Sequence, residues 1–135
     1  MVEIKIFALA CVSLGVCLFC THLAEAQSKQ SLDAWIDTTK KEDGILVVRP
    51  MCRAERPLVV DYFLVAIKEG SAGVSMNSQS GKTSLTPRTE KMLCEFFLWM
   101  EPDSTCRLRL EISYRGRKLI TKELLVTEND FKNPI

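Results

Sequence analysis

Apolar and polar residues alternate with a period of two along much of the chain after residue 30. In "CRLRLEISYRG" (106–116) every second residue is apolar, which puts Cys106, Leu108, Leu110 and Ile112 on one face. A strand with one face against a core and the other in water has this pattern. The segment is therefore predicted to be a strand that buries these four residues.

Six other segments have the composition or alternation of strands and are separated by turns rich in Gly, Pro, Ser or Asp. They are residues 31–39, 45–53, 58–70, 74–85, 91–100 and 118–126. No segment with a helical period is long enough for a stable helix, so helix is expected at most as a terminal turn. This succession of short strands predicts an all-β fold, a seven-stranded immunoglobulin-like β-sandwich.

Three of these strands carry further information. Pro50 cannot donate a backbone hydrogen bond, which favours an edge or a bulge in the second strand. The third strand, "LVVDYFLVAIKEG" (58–70), is apolar on both faces apart from Asp61. Such a strand is either covered on both sides or keeps one face for a partner. The fifth strand is expected to place five residues on one face: Met92, Cys94, Phe96, Leu98 and Met100.

The N-terminal region has the pattern of a secretory signal peptide, 1–26. Lys5 precedes an apolar run at 6–20, and the small residues Ala24 and Ala26 follow it. The run is shorter than the roughly 20 residues that a membrane anchor needs. A lipoprotein signal is the alternative, because Cys17 and Cys20 end the apolar run. We expect cleavage after Ala26 and export, which leaves one domain, 27–127, and a flexible C-terminal tail, 128–135.

The exported part of the chain lacks the residues that most catalytic and metal sites need. The single histidine, His22, is removed with the signal peptide. Its loss excludes Ser-His and Cys-His nucleophiles and imidazole metal sites. No CxxC pair occurs after residue 26, and carboxylates such as those of "EPDS" (101–104) stand in turns as solvated charges. We predict a binding protein, not an enzyme, with no cofactor and no metal; a net charge of +1 does not suggest nucleic acid.

The stretch "KEGSAGVSMNSQSGKTSL" (68–85) is a polar interruption between two hydrophobic segments. Its first residues predict a turn, the next a polar extended strand at the rim of the sandwich, and Gly81 permits a bulge or bend. Exposed edge strands are templates for pairing with another chain. This strand is therefore either a protected edge or mobile loop, or a surface that pairs with a partner.

These segments resemble the curli assembly protein family of CsgC and CsgH. The resemblance is carried by "KEGSAGVSMNSQSGKTSL" followed by "FFLWMEPDSTCRLRLEISYRGRKL", and it covers residues 45–126. Family members share an "EGSSG"-like turn, a Ser/Gln-rich strand and a later alternating strand that ends in a turn. The resemblance implies an immunoglobulin-like fold, a periplasmic location and inhibition of amyloid formation by curli subunits before secretion.

A curli-type amyloid subunit is thus the expected client, with other curli secretion components as further partners. We expect the exported protein to be a monomer without membrane contact. The favoured client-binding residues form an outward basic row, which consists of Arg107, Arg109, Arg115, Arg117, Lys118 and Lys122. The alternative is strand pairing along the polar edge at Ser75, Asn77 and Gln79. A generic exported interaction or adhesion module is the competing function.

Three cysteines remain after export: Cys52, Cys94 and Cys106. A thiol-redox protein of curli assembly is a third possible function. The CxC pair of CsgC-type members is absent from this chain, which argues against that function. In an immunoglobulin-like topology the fifth strand runs against the second and brings Cys94 toward Cys52. We favour a Cys52–Cys94 disulfide with Cys106 as a buried free thiol, and three reduced cysteines are the alternative.

Overall fold

The computed structural model describes residues 31–127 and 129–132 of the 135-residue chain. The predicted signal peptide and its cleavage site lie outside the described residues. The described part forms β-strands and one helical turn. They are β1 (Leu32–Lys40), β2 (Ile45–Ala54), β3 (Leu58–Gly70), β4 (Gly73–Leu85), β5 (Lys91–Met92), β6 (Phe96–Trp99), β7 (Thr105–Tyr114), β8 (Arg117–Val126) and α1 (Asn129–Lys132).

The strands form two antiparallel sheets that pack on each other, which confirms the predicted all-β sandwich. In sheet A, β2 pairs with β1 along one edge and with both β5 and β6 along the other. In sheet B the order is β4-β3-β7-β8. Because β5 and β6 follow each other along one edge of β2, together they take the place of the single strand predicted at 91–100.

Pro50 lies in the central strand of sheet A, and its position explains why β5 and β6 are separate. The Pro50 carbonyl accepts a hydrogen bond from the N–H of Leu93 (2.9 Å). The N and C=O of one strand residue point to the same neighbour, so the missing donor of Pro50 also faces this segment. Between β5 and β6, two residues of β2 face three residues of the partner segment. This irregularity is a bulge. Of the two alternatives predicted from Pro50, an edge strand or a bulge, the structure therefore has the bulge.

The extra residue changes which side chains of this segment face the core. Leu93, Leu98 and Met100 are buried, whereas Met92 is 46% exposed. The prediction that Met92 shares a buried face with Leu98 and Met100 is therefore wrong. One inserted residue reverses the alternation of a strand, so Met92 and Leu98 fall on opposite sides.

The core lies between the two sheets and is built mainly from even-numbered residues of β2, β3 and β7. Burying each of its large aliphatic side chains stabilises the fold by roughly 1.5–3 kcal/mol. The predicted inward face of β7 is confirmed, since all four of its residues belong to this set. Fully buried members are Leu46, Val48, Cys52, Val60, Leu64, Cys106, Leu108, Leu110 and Ile112.

Gly81 makes room for an aromatic ring instead of a bulge. The pairing of β4 with β3 runs through Gly81 without interruption, and Gly81 lies opposite Tyr62. A Cβ atom at this position would lie 2.7 Å from the Tyr62 hydroxyl oxygen. Tyr62 packs against the core cluster. A side chain at this position would force the tyrosine ring to move, so the position of the ring depends on the glycine.

The hairpin that joins β3 to β4 is anchored by the β6–β7 connection. Its two-residue loop begins at Ser71, between the paired Gly70 and Gly73. The Asp103 carboxylate accepts a hydrogen bond from the Ser71 N–H (2.9 Å). Gly70 also packs closely on Ser104, where an added Cβ would lie 3.1 Å from the serine Cβ. The end of the hairpin is thus held in a fixed position against the rest of the sandwich.

A half-buried lysine, Lys68, links the same regions. Lys68 Nζ donates hydrogen bonds to the Trp99 carbonyl (2.7 Å) and to Glu101 (3.1 Å). The Lys68 side chain is 18% exposed, so this contact between the sheets is partly shielded from water. The carboxylates of the "EPDS" segment, expected to be solvated charges, therefore have structural partners.

The predicted flexible tail is described only in part. Residues 129–132 form α1, and the Asp130 carboxylate accepts hydrogen bonds from the backbone N–H (2.7 Å) and hydroxyl (3.2 Å) of Thr127. The beginning of the tail is therefore tied to the end of β8. The other tail residues lie outside the described part of the chain.

The three cysteines among the described residues are free thiols in this structure, so the favoured Cys52–Cys94 disulfide is absent. Cys52 pairs with Lys91 across the sheet, and the bulge separates that position from Cys94. Burial raises the pKa of Cys52 and of Cys106 to about 11 and also raises the pKa of Cys94. Such thiols are poor nucleophiles at neutral pH.

Thiol labelling tests the state of the cysteines. At pH 8 we expect a thiol reagent to label half-buried Cys94 first in the native protein. Buried Cys52 and Cys106, with pKa values of about 11, should be only about one part in a thousand ionised. After denaturation without reductant, peptide mapping should find all three thiols labelled. Labelling of Cys106 alone would show that Cys52 and Cys94 are bridged.

The contact between Asp103 and the hairpin predicts a pH-dependent stability. Hydrogen bonds from Ser71 lower the pKa of Asp103 below its ordinary value of 3.8. A carboxyl group with a lowered native pKa stabilises the fold above its ordinary pKa, and the effect is lost as pH falls through the native value. Asp103→Asn should therefore lower the free energy of unfolding at pH 7 and converge with wild type in acid.

Urea unfolding at several pH values measures this difference. Asp43→Asn is the matched control, because Asp43 is an exposed turn residue with no hydrogen bond to a described residue. A constant difference between Asp103→Asn and wild type from pH 7 to pH 2 would contradict the role of the charge.

Candidate functional site

The outer face of sheet B, the side turned away from the core, carries an exposed apolar stripe. Phe63 is 43% exposed and Met76 is 70% exposed, although both are large and apolar. The sequence predicted that β3 is either covered on both faces or has one open face. The structure has one face covered and the other open to solvent. By their pairing, the residues of the stripe are Val59, Phe63, Val65 and Ile67 on β3 and Val74 and Met76 on β4.

Two of the predicted basic residues border this stripe on β7. Arg107 lies opposite Ile67, and Arg109 lies opposite Val65. Residues paired in this way project to the same face of a sheet, about 5 Å apart. The stripe and the two guanidinium groups therefore form one continuous surface.

The other four predicted basic residues do not extend this surface as a single row. Lys122 pairs with Leu110, whose side chain points to the core, so Lys122 lies on the opposite side of the sheet. Arg115 is in the turn after β7, 5.2 Å from the centre of the Tyr114 ring, and Arg117 begins β8. The predicted row is therefore wrong for Lys122, because a register shift beside Ile112 puts Lys118 and Lys122 on opposite faces of β8.

Most cations on the outer face already have carboxylate partners. Arg109 pairs with Glu111 (2.9 Å) and Glu123 (3.8 Å), and Lys118 pairs with Glu111 (2.9 Å). A hydrogen bond from Lys118 lowers the pKa of Glu111, so this carboxylate stays ionised at neutral pH. Surface ion pairs of this kind add little stability, but they reduce the charge that a partner meets.

Arg107 differs from its neighbours on the outer face. It is exposed, and among residues 31–127 and 129–132 it forms no ion pair or hydrogen bond through its side chain. Its charge is consequently the least compensated of the basic residues beside the apolar stripe. The sequence pattern could not separate Arg107 from Arg109, because both are outward residues of the same strand.

The polar strand predicted at the rim is β4, at the edge of sheet B. Residues 73–80 are all exposed, on both faces of the strand. Ser75, Asn77 and Gln79 pair with residues that point to the core, yet they remain exposed. This half of β4 therefore projects beyond the area that sheet A covers.

A groove of about 540 Å³ lies where β3 begins, and its lining includes Asp61, Lys82, Tyr114 and Arg115. Asp61 and Lys82 pair with each other at 3.7 Å, so they do not converge on an open position. In the described part of the chain, no group of three or more His, Cys, Asp or Glu side chains is placed to hold a metal ion. None of the described helices is long and apolar enough to cross a membrane.

Sequence comparison finds no relative of the chain: no family model matches it, and no curated protein matches it. Structural comparison does find similar folds. The solution structure of R. palustris CsgH has a TM-score of 0.56 at 18% identity, over 76% of this chain and 97% of CsgH. The E. coli curli protein CsgC has a TM-score of 0.58 at 19% identity, over 70% of this chain and 97% of CsgC.

Both matches cover almost the whole of the known protein, so the likeness extends over the complete sandwich and is not confined to a few strands. Sequence identity this low identifies a fold and leaves activity open. The chain therefore has the fold of CsgC and CsgH, and the resemblance that its polar strand and alternating strands predicted is confirmed at that level.

Proposed function

We propose that this chain is a periplasmic, chaperone-like inhibitor that keeps curli-type amyloid subunits soluble before secretion by weak, transient binding. The proposal is supported by the fold that it shares with CsgC and CsgH, both curli proteins. The N-terminal signal pattern supports export. The observation that carries the proposal is an exposed apolar stripe bordered by Arg107.

The stripe suits a partner that is itself unfolded. An unfolded subunit exposes apolar side chains, and burying them stabilises a complex by roughly 25 cal/mol per Å² of apolar area. The exposed residues of the stripe are few and lie among charged ones, so the area that can be buried is small. A small area favours fast release, which an inhibitor acting before secretion requires.

Arg107 supplies the electrostatic part of the contact. An uncompensated positive charge attracts an acidic client over about 10 Å at moderate salt and raises the rate of encounter. Arg109 contributes less, since Glu111 and Glu123 already surround it. Of the six basic residues predicted to bind the client, the favoured contact is therefore Arg107, near the beginning of β7.

A generic exported interaction or adhesion module remains the second candidate, because the same stripe would serve another protein partner. The measurement that separates the two is fibrillation of a purified curli subunit. An inhibitor should delay fibrillation at a low molar ratio, whereas an adhesion module should have no effect. A thiol-redox function is disfavoured, because the raised thiol pKa values of Cys52 and Cys106 keep both groups protonated.

Reversal of one charge tests the basic contact. Arg107→Glu should raise the concentration needed for half-inhibition of fibrillation by at least about fivefold, since losing a unit-charge contact in water costs about 1 kcal/mol and the reversed charge adds repulsion. Raising salt from about 50 to 300 mM should weaken the wild type in the same direction. The fold should be unchanged, because Arg107 holds no ion pair with a described residue.

Lys122→Glu is the matched control for this experiment. It makes the same charge reversal on an exposed residue of the same sheet, but on the opposite side. Inhibition by Lys122→Glu should equal that of wild type. Full inhibition by Arg107→Glu at both salt concentrations would contradict the basic contact, and absence of inhibition by wild type would contradict the proposed function.

A further inference from the structure

The free edge of β4 is the longest exposed backbone edge of the outer strands in sheet B. β4 has 13 residues and lies at the end of the sheet order, with β3 on its one paired side. Every residue from 73 to 80 is exposed. The backbone groups on the outer side of this strand are therefore reachable by another chain.

The register assigns each backbone group of β4 to one side. In a two-residue hairpin the closing pair, here Gly70 and Gly73, is hydrogen-bonded, and bonded and non-bonded pairs then alternate. The N–H groups of Ser75, Asn77 and Gln79 therefore point to β3. The residues whose N–H and C=O point to the open edge are Val74, Met76, Ser78 and Ser80.

Lys91 supports this assignment independently. Its Nζ donates a hydrogen bond to the backbone carbonyl of Ser84 (3.3 Å). Ser84 is an even-numbered residue of β4, so its carbonyl is not taken up by β3, in agreement with the alternation. The same contact covers the C-terminal end of the edge, and Lys82 adds a charge beside it. The open part of the edge is thus residues 73–81.

This open part lacks the features that normally prevent strand addition. Protected edges carry charged residues, proline or a bulge. Residues 73–81, "GVSMNSQSG", contain neither charge nor proline, and their pairing with β3 has no register shift. Polar side chains alone do not block hydrogen bonding along the backbone. The edge is therefore open to pairing. One of the alternatives predicted from the sequence was a protected edge, which residues 73–81 are not.

We propose that the outer edge of β4, over residues 73–81, binds an uncharged extended segment rich in Ser, Gly, Asn and Gln as a fifth strand of sheet B. This inference rests on the proposed function, because it names the part of an amyloid subunit that is held. The stretch offers no charged side chain to pair with a charged strand. Its hydroxyl and amide side chains instead match like side chains, which form ladders between adjacent strands.

Side chains on both faces of β4 fit this occupant. Ser75, Asn77 and Gln79 lie on the core-facing side of the sheet, beyond the area that sheet A covers. Amide and hydroxyl groups of an added strand would pair with them there. Val74 and Met76 lie on the other side and extend the apolar stripe to the edge. Small residues in the added strand would leave this stripe accessible, so strand addition and the Arg107 contact are compatible.

The register also selects the informative substitution. Proline at Asn77 or Gln79 would remove an N–H that bonds to β3 and would damage the fold. Ser78→Pro removes an N–H that points to the open edge and leaves the β3–β4 ladder complete. Ser78→Ala is the matched control, since it removes the same hydroxyl group and keeps the N–H.

The direct test is amide exchange by NMR on the wild-type exported domain, with a capped nine-residue peptide of the sequence of residues 73–81 as the probe. At ten times its dissociation constant, a bound peptide slows exchange about tenfold. We expect this slowing at Met76, Ser78 and Ser80 and no change at Asn77. Ser78→Pro should abolish the slowing and weaken inhibition of subunit fibrillation, while Ser78→Ala should preserve both.

Several outcomes would overturn the proposal. One is an unchanged exchange rate at Met76, Ser78 and Ser80 with millimolar peptide. Another is equal inhibition of fibrillation by Ser78→Pro and Ser78→Ala. Protection that appears with rising protein concentration alone would assign the edge to pairing with a second copy instead. If wild type binds the peptide but does not delay fibrillation, the edge inference stands and the proposed function fails.

Discussion

The pairing register of β3 with β4 and β7 determines the direction of the side chains and amides of these three strands of sheet B. β3 runs through the middle of this sheet, and its even-numbered residues Val60 and Leu64 are buried, whereas Phe63 is exposed. A slip of one residue would turn the buried set to solvent and the exposed set to the core. The core, the apolar stripe and the open edge of β4 are therefore consequences of one alignment.

Contacts at one end of the sheet hold this alignment. Asp103 accepts a hydrogen bond from the loop of the β3–β4 hairpin, and Lys68 joins β3 to Glu101. These residues belong to the two segments that carry the resemblance to CsgC and CsgH, "KEGSAG" and "EPDST". The segments are about 30 residues apart in the chain and contact each other in the fold. Their joint occurrence thus has a physical basis, which is the closing of one hairpin against the opposite connection.

Local alternation was sufficient to predict most strands and the inward face of β7, because a period of two is a property of the strand itself. Alternation failed where the direction of a side chain depends on how the strand pairs with its neighbour. Pro50 is accommodated by a bulge in the facing segment, and the bulge exposes Met92. Lys122 was assigned to the wrong side because the sequence does not give the register of β8, which contains a bulge of its own beside Ile112.

The sequence also left open which parts of the candidate site would be free. Arg107 and Arg109 are equivalent in the pattern, and only the folded positions of Glu111 and Glu123 distinguish them. The polar strand could be assigned to an edge from its composition. Which of its amides face outward depends on the hairpin loop, and the sequence alone does not fix the closing pair of that loop.

The alignment of β3 and β4 is tested most directly by residue-resolved amide exchange in the free protein. Amides hydrogen-bonded within a sheet exchange slowly, and those that point to an open edge exchange fast. We expect alternation along β4, with slow exchange at Ser75, Asn77 and Gln79 and fast exchange at Met76, Ser78 and Ser80. Uniform exchange along the strand, or the reverse alternation, would contradict it.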